Sequence, residues 1–414
     1  MIRSRMLSLG LFGAGLSLAL AAAPLPAAAQ QSSNSATPAF GKAIQDAEGE
    51  MNAGNLSAAN RDLETAEAQP GKNAYESFVI VQMRGALAAK SGDYAAAVGS
   101  YIAQVNSGRL DASTALNLTG AIAGLEFTLK NYAEAATWAD RYYRMGGSDQ
   151  RFKEMQIQAH YLNNDFATAG RMQQARVNAE IKAHQTPSDD EFGLLYSCAL
   201  NQKDSDGVIA VLDQAVIYYP KPEYWTQLIN NVTNGNGFDP ERLEYDSGLL
   251  MVDTKSIGGT ADWMNLIQVS LQGGHSGMAQ KLFDQATAAG ILGTGAAADV
   301  AREQRLRALI ATTVASDKAG EAAAISAAAN DGDKAATEGY NLVDLGQPDQ
   351  GIALMEKSLN MTLSTPDITR LRLGEAYAEV GRKQDAINMF NTVGGTNGTA
   401  GLAKLWMIHL SQKA

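Results

Sequence analysis

The chain has 414 residues and a formal net charge of −11; 45% of its residues are hydrophobic, 19% charged and only 7% aromatic. That acidic balance argues against a nucleic-acid binder, which needs a positive surface to displace phosphate counterions, and against docking on an anionic membrane. The single cysteine, Cys198, excludes an internal disulfide, and its apolar surroundings from Leu194 to Leu200 read as a buried structural site.

Arg3 and Arg5 precede an uncharged apolar run from Met6 to Ala23, which Pro24 and Pro26 break before Ala27-Ala28-Ala29. This order is that of a secretory signal peptide over 1–29, cleaved after Ala29. The competing reading, an uncleaved anchor, would need every residue of the run to span a bilayer. Cleavage would leave about 385 residues, more than one ordinary core holds, with a charge of −13 once Arg3 and Arg5 are gone. A periplasmic or secreted location follows. Residues 30–39 are polar and read as a disordered tail.

From there the chain is alanine-rich, which favours helix because alanine loses no side-chain entropy. Small or helix-compatible residues recur at Ala59, Ala97, Ala135, Ala169, Val208, Glu241, Ala279, Gly351 and Ala386. Each is accompanied by other periodic residues. Gly54, Leu63 and Ala66 flank the first, and Gly85, Gly92, Tyr94 and Tyr101 the second. Tyr132 and Ala139 flank the third, Asn164 and Phe166 the fourth. Ala199, Leu212, Ala215 and Pro220 belong to the fifth, and Trp225, Leu228 and Tyr245 to the degenerate sixth, whose polar turn is Asn231 to Gly237. Trp263, Leu266, Gly274, Phe283 and Ala286 mark the seventh, and Gly339, Gly346 and Met355 the next. The clearest unit is the last: Leu373, Gly374, Tyr377, Gly381, Ala386 and Phe390. Small residues at positions such as Gly374 and Ala386 let two antiparallel helices approach. The aromatic at Phe390 fills the space between units, and Gly381 permits the positive φ that ends the first helix.

The spacing is close to one period except between Ala279 and Gly351, where it is close to two. A diverged helical pair is therefore expected over 296–331, with Arg302, Leu306, Leu309 and Ile310 on one helical face. Leu402, Leu405, Trp406 and Leu410 then predict a capping helix over 401–414, covering the last unit.

This register resembles the tetratricopeptide repeat (TPR) family, a helix–turn–helix of 34 residues, and most of all its exported, proteobacterial periplasmic type. The resemblance implies an all-α, right-handed superhelical solenoid of antiparallel helix pairs, about ten repeats with a C-terminal capping helix. The organisation would be a TPR-like array over 40–222, degenerate helical repeats over 223–331, a C-terminal TPR pair over 332–400 and the cap. The repeat positions that should be structural include Gly85, Ala97, Tyr101, Ala135, Ala169, Trp225, Trp263, Ala279, Phe283, Gly374, Tyr377, Ala386 and Phe390.

In that family the first helix of each repeat lines a concave face. The resemblance places Gln82, Phe127, Arg151, Glu154, Tyr161, Tyr340 and Glu375 there as a partner-binding set, with Ser197 and Leu371 beside them. Such a mixture suits an extended peptide. The Lys and Asn set with which some TPRs clamp a C-terminal carboxylate is not at the corresponding positions. The aromatic cluster Tyr218, Tyr219, Tyr224 and Trp225, with Pro220 and Pro222, reads as packing.

The four histidines, His160, His184, His275 and His409, show no metal-ligand spacing and read as surface or packing residues. Asp189-Asp190-Glu191 reads as a helix start. No cofactor, metal or catalytic residue is expected. The expected function is a non-catalytic scaffold for a protein or peptide partner in the bacterial envelope, accessory to TonB-type energy transduction or envelope assembly. The alternatives are an envelope glycan-binding module or a helical-solenoid glycan-processing enzyme.

Overall fold

The computed structural model describes residues 35–412; the expected signal peptide and residues 30–34 of the expected tail lie outside them. Every regular element among the described residues is a helix. The chain divides into two units, the first ending at Asp204 and the second beginning at Ser205. This division falls inside the array expected to run to residue 222, and it separates the two helices of the fifth expected repeat.

Unit 1 contains α1 (Pro38–Asn52), α2 (Leu56–Glu67), α3 (Ala74–Ser91), α4 (Tyr94–Asn106), α5 (Ala112–Thr128), α6 (Tyr132–Arg144), α7 (Gln150–Leu162), α8 (Phe166–Lys182) and α9 (Asp189–Gln202). Each helix packs on the next. Short turns between neighbours force them antiparallel. Pro38 opens α1, so the helix begins inside the segment expected to be a tail. Residues 35–37 are tied down as well. The Thr37 amide and hydroxyl donate to Glu76 at 2.8 and 2.9 Å, and Asn73 Nδ2 donates to the Ser35 carbonyl at 3.0 Å. The helix start read at Asp189-Asp190-Glu191 is a capping box: Ser188 is the N-cap, and Glu191 reaches back to its amide at 2.8 Å.

Unit 2 contains α10 (Ser205–Tyr218), α11 (Pro222–Thr233), α12 (Pro240–Asp253), α13 (Thr260–Gln272), α14 (Ser276–Ala288), α15 (Ala297–Ala328), α16 (Gly332–Asp344), α17 (Pro348–Ser358), α18 (Pro366–Glu379), α19 (Lys383–Phe390) and α20 (Thr399–Ser411). The expected diverged pair over 296–331 is instead the single helix α15. Nothing between Ala297 and Ala328 supplies a turn residue in a helix-ending conformation; Gly320, the one glycine there, does not take positive φ. Its buried face is Glu303, Leu306, Ile310 and Val314, and Leu309, expected on that face, is 56% exposed. There are twenty helices among the described residues, and eight helix pairs lie whole within a unit, four in each.

The repeat register is visible in the packing. Ala59, Ala97, Ala135, Ala169, Val208, Ala279, Gly351 and Ala386 are each the fourth residue of their helix, and all are buried. Glu241 breaks the series. It is the exposed second residue of α12, and Leu243, fully buried, takes the fourth place. The register of the degenerate sixth unit thus slips by two residues. A Cβ on Gly85 would stand 2.9 Å from the Tyr101 ring, one on Gly339 2.6 Å from Met355, and one on Gly374 2.4 Å from the Phe390 ring. In three units, then, the glycine of the first helix is the seat of the large side chain of the second.

Unit 2 closes on itself. The final helix covers α18 and α19, as a cap should, but it also packs on α10, α11 and α12 at the start of the unit. Polar contacts stitch the two ends: the Asp239 amide donates to the Asn397 carbonyl at 3.0 Å, Gln412 to the Val216 carbonyl at 3.0 Å, and Lys404 pairs with Asp213. Leu402, Leu405 and Trp406 of α20 are buried in this closure.

Candidate functional site

In unit 1, the expected concave-face residues mostly spend their polar groups on each other or on neighbouring helices. Gln82 is half-buried on α3. Phe127 packs edge-on against Tyr132, with ring centres 5.4 Å apart. Arg151 is exposed and folds back on Asp149 at 2.6 Å, at the start of its own helix. Glu154 accepts from Arg176 at 3.0 Å, and Arg176 also holds Glu180 and Glu191. The Tyr161 hydroxyl is hydrogen-bonded to Ser197 at 2.7 Å, so α7 and α9 are joined across the first-helix face.

Cys198 is 1% exposed, and burial pushes its thiol up to about 11. It is held against Gly170 of α8, where a Cβ would lie 3.3 Å from its own. Among the described residues no three His, Cys, Asp or Glu side chains converge as a metal-binding group.

Unit 2 is different. Its closure brings α12, α14, α16 and α18 around a polar centre. Arg372 of α18 donates through Nε and Nη2 to the two oxygens of Asp246 on α12, at 2.9 and 3.2 Å, and Asp246 is wholly buried. Glu375, one helical turn on, accepts from the Tyr340 hydroxyl and from Trp406 Nε1, both at 3.1 Å. Burial, and then the neighbouring Asp246 carboxylate, hold Glu375 well above the ordinary carboxylate range. Of the expected binding set, then, the structure joins Tyr340 to Glu375 directly. Glu375, Leu371 and Tyr340 all lie in the interior, and Tyr340 also lines a cavity.

That cavity has a volume of about 390 Å³, within the usual range for small-ligand sites. The first turn of α12 contributes Glu241 and Arg242, α16 contributes Asp333, Thr337 and Tyr340, and α18 and the residues before it contribute Ser364, Thr369 and Arg372. Met355 and Ile368 supply apolar wall. Asp333 is oriented by Ser364, whose amide and hydroxyl donate to its two oxygens at 3.0 and 2.5 Å.

His275 also lines the cavity. It is the residue before α14, and in the preceding repeats that place is taken by Asn55, Asp93, Asn131 and Asp165. His275 makes no side-chain cap bond. Its ring is 1% exposed, stacked on Tyr245 at 4.4 Å and edge-on to Tyr340 at 5.1 Å. Neither ring nitrogen has a hydrogen-bond partner. Burial, and then the charge of Arg372, push its pKa down to about 3, so the ring is neutral at ordinary pH. The other three histidines are placed otherwise: His160 on Asp165 at 3.0 Å, His184 exposed at the positive-φ residue after α8, and His409 edge-on to Trp225 and Trp406.

His275, Arg372, Asp246 and Tyr245 did not stand out in the sequence as site residues. One signal was legible: a histidine where the four repeats of unit 1 start their second helices after Asn or Asp. For Arg372 and Asp246 no such signal exists, because they lie 126 residues apart and only the closure of unit 2 joins them.

No protein-family description matches the chain, and no curated protein matches it. Among solved structures it is similar to the TPR domain of P58(IPK), at 12% identity over 89% of this chain and 98% of that one, with a TM-score of 0.22. It is similar to a chain of the APC/C hetero-tetramer Cut9–Hcn1, at 11% identity over 88% and 79%, with a TM-score of 0.22. Yeast Tom70 follows at 10% identity over 90% and 95%, with a TM-score of 0.20.

Proposed function

We propose that the chain is a non-catalytic, TPR-like scaffold that holds a polypeptide partner against the first helices of its pairs. The polar cavity between α16 and α18 carries this reading, because both are first helices of their pairs and both contribute polar side chains to its lining. Its volume suits one or two side chains of a bound segment. The Arg3 and Arg5 start, the apolar run and the Ala27-Ala28-Ala29 site support export to the periplasm, and the resemblance to exported TPR proteins supports a place in envelope assembly or beside TonB-type energy transduction.

The test is capture from an envelope extract with the tagged chain, followed by tiling of any captured polypeptide as short peptides. One dominant polypeptide with a bounded binding segment is the expected result. Recovery of glycan alone would replace the scaffold with a glycan-binding module, and turnover of purified cell-wall glycan would replace it with an enzyme.

A further inference from the structure

We propose that Asn236 is a site of spontaneous modification, at which the side-chain amide cyclises onto the Gly237 nitrogen, and that the isoaspartate so formed loosens the closure of unit 2. This chemistry is independent of what the scaffold holds.

The only co-reactant is water. The Gly237 nitrogen gives up its proton and attacks Asn236 Cγ. The Cγ–Nδ2 bond breaks, and the amide nitrogen takes up that proton and leaves as ammonia. Water then opens the succinimide. Cleavage between the main-chain carbonyl of residue 236 and the Gly237 nitrogen leaves isoaspartate, whose backbone runs through the former side chain and is one carbon longer. Cleavage at Cγ leaves aspartate. Glycine in the following position permits the attack, because no side chain shields its nitrogen.

Asn-Gly occurs three times, at 234–235, 236–237 and 397–398, and the structure treats the three differently. The Gly235 amide, the nucleophile of the first, donates to the Val232 carbonyl at 3.1 Å at the end of α11. The Asn397 side chain accepts from the Thr399 amide and hydroxyl at 3.4 and 2.8 Å, and Gly398 is seated where a Cβ would stand 2.4 Å from the Phe238 ring. Asn236 and Gly237 are both exposed, and they are the central pair of a turn that the Phe238 amide closes on the Gly235 carbonyl at 3.2 Å. Gly237 has φ +90°, as the third residue of a type II turn does. The peptide between the central residues lies outside the turn's own hydrogen bond. Among the described residues no hydrogen bond holds the Gly237 amide or the Asn236 side chain.

The turn abuts the far end of the unit. A Cβ on Gly237 would stand 3.0 Å from the Thr396 carbonyl, and the Asp239 amide donates to the Asn397 carbonyl at 3.0 Å. An extra main-chain carbon at residue 236 therefore displaces one side of this seam. An aspartate of ordinary length does not, and its charge stands just before the N-terminus of α12, where the helix dipole favours it.

The test ages the full chain in mildly alkaline buffer at physiological temperature. Each site is followed by peptide mapping with mass spectrometry, and isoaspartate is counted with an isoaspartyl methyltransferase. Asn236 converts first, and Asn234 and Asn397 lag roughly tenfold, the rate equivalent of one net hydrogen bond. In urea the three convert at like rates. The aged chain shows a lowered unit 2 melt. Asn236→Gln and Asn236→Ser, equally aged, keep theirs, and freshly made Asn236→Asp melts with the fresh unaltered chain. Equal rates at the three sites in the folded chain, or faster conversion at Asn234 or Asn397, would overturn the site. An unchanged melt once residue 236 is isoaspartate, an equal loss in the aged Gln and Ser variants, or a fresh Asn236→Asp that melts as low as the aged chain would overturn its effect on the closure.

Discussion

Glycine has two separate tasks in this chain, and they respond differently to the same substitution. Gly92 has φ +80° at the end of α3 and open space around its missing side chain, so only backbone strain opposes an alanine there. Gly374 is helical, and its missing Cβ is the seat of the Phe390 ring at 2.4 Å, so alanine must push the ring out. Gly92→Ala should cost about 1–2 kcal/mol and Gly374→Ala about 1–3 kcal/mol. Trimming the ring in Gly374→Ala/Phe390→Leu should recover part of the second loss, whereas no side-chain change should recover the first. Urea unfolding midpoints of the four proteins check this. Both glycines were legible in the sequence through the repeat pattern. The distinction between strain and space was not, because it depends on what stands opposite each residue.

Helix α15 is the element on which sequence periodicity and structure part. Arg302, Leu306, Leu309 and Ile310 mark a helical stripe, but an alanine-rich helix is apolar on several faces, so composition does not say which one is covered. The structure turns Ile310 inward, at 2% exposed, and Leu309 outward. Ile310→Ala should therefore lower stability by about 2–4 kcal/mol, and Leu309→Lys should leave it within about 0.5 kcal/mol. Reversal of that order in thermal melts would place the other face inside. The slip in α12 has a related cause. Glu241 fits the repeat spacing by number, yet a carboxylate cannot occupy a fully buried small-residue site without a partner. Leu243 occupies that site, and Glu241 is left on the rim of the cavity.

At the scale of the whole chain, what distinguishes the two units is closure. Unit 2 brings its last helices onto its first, and the Arg372–Asp246 pair is its internal seam. Removing one partner strands a charge: Asp246→Asn should cost about 3–5 kcal/mol, and the double change Asp246→Leu/Arg372→Met distinctly less. A double-mutant cycle on the unit 2 transition measures the coupling. The closure also carries a pH signature. Glu375 is raised in the folded state by burial and by Asp246, so the unfolded chain ionises it first. For an acid shifted in this direction stability falls as pH rises above the unfolded value, near 4.3. The unit 2 melting temperature should thus fall on going from pH 4.5 to neutral, and Glu375→Gln should flatten that slope. Some slope should remain, because burial raises Asp344 as well. A slope of the opposite sign, unchanged in Glu375→Gln, would mean that Glu375 is ionised in the fold.

The sequence by itself determined that this chain is helical, where most of its helix pairs begin, and which small residues let them touch. Those features are local: helix propensity, a turn residue, a glycine and an aromatic within one unit. Only the tertiary structure decided that Asp204 and Ser205 divide the chain, that 297–328 is one helix, and that unit 2 closes around His275, Tyr340 and Arg372. The closure depends on contacts between residues more than a hundred positions apart, and a repeat period, which describes each unit in relation to its neighbours, contains no information about where the first and the last will meet.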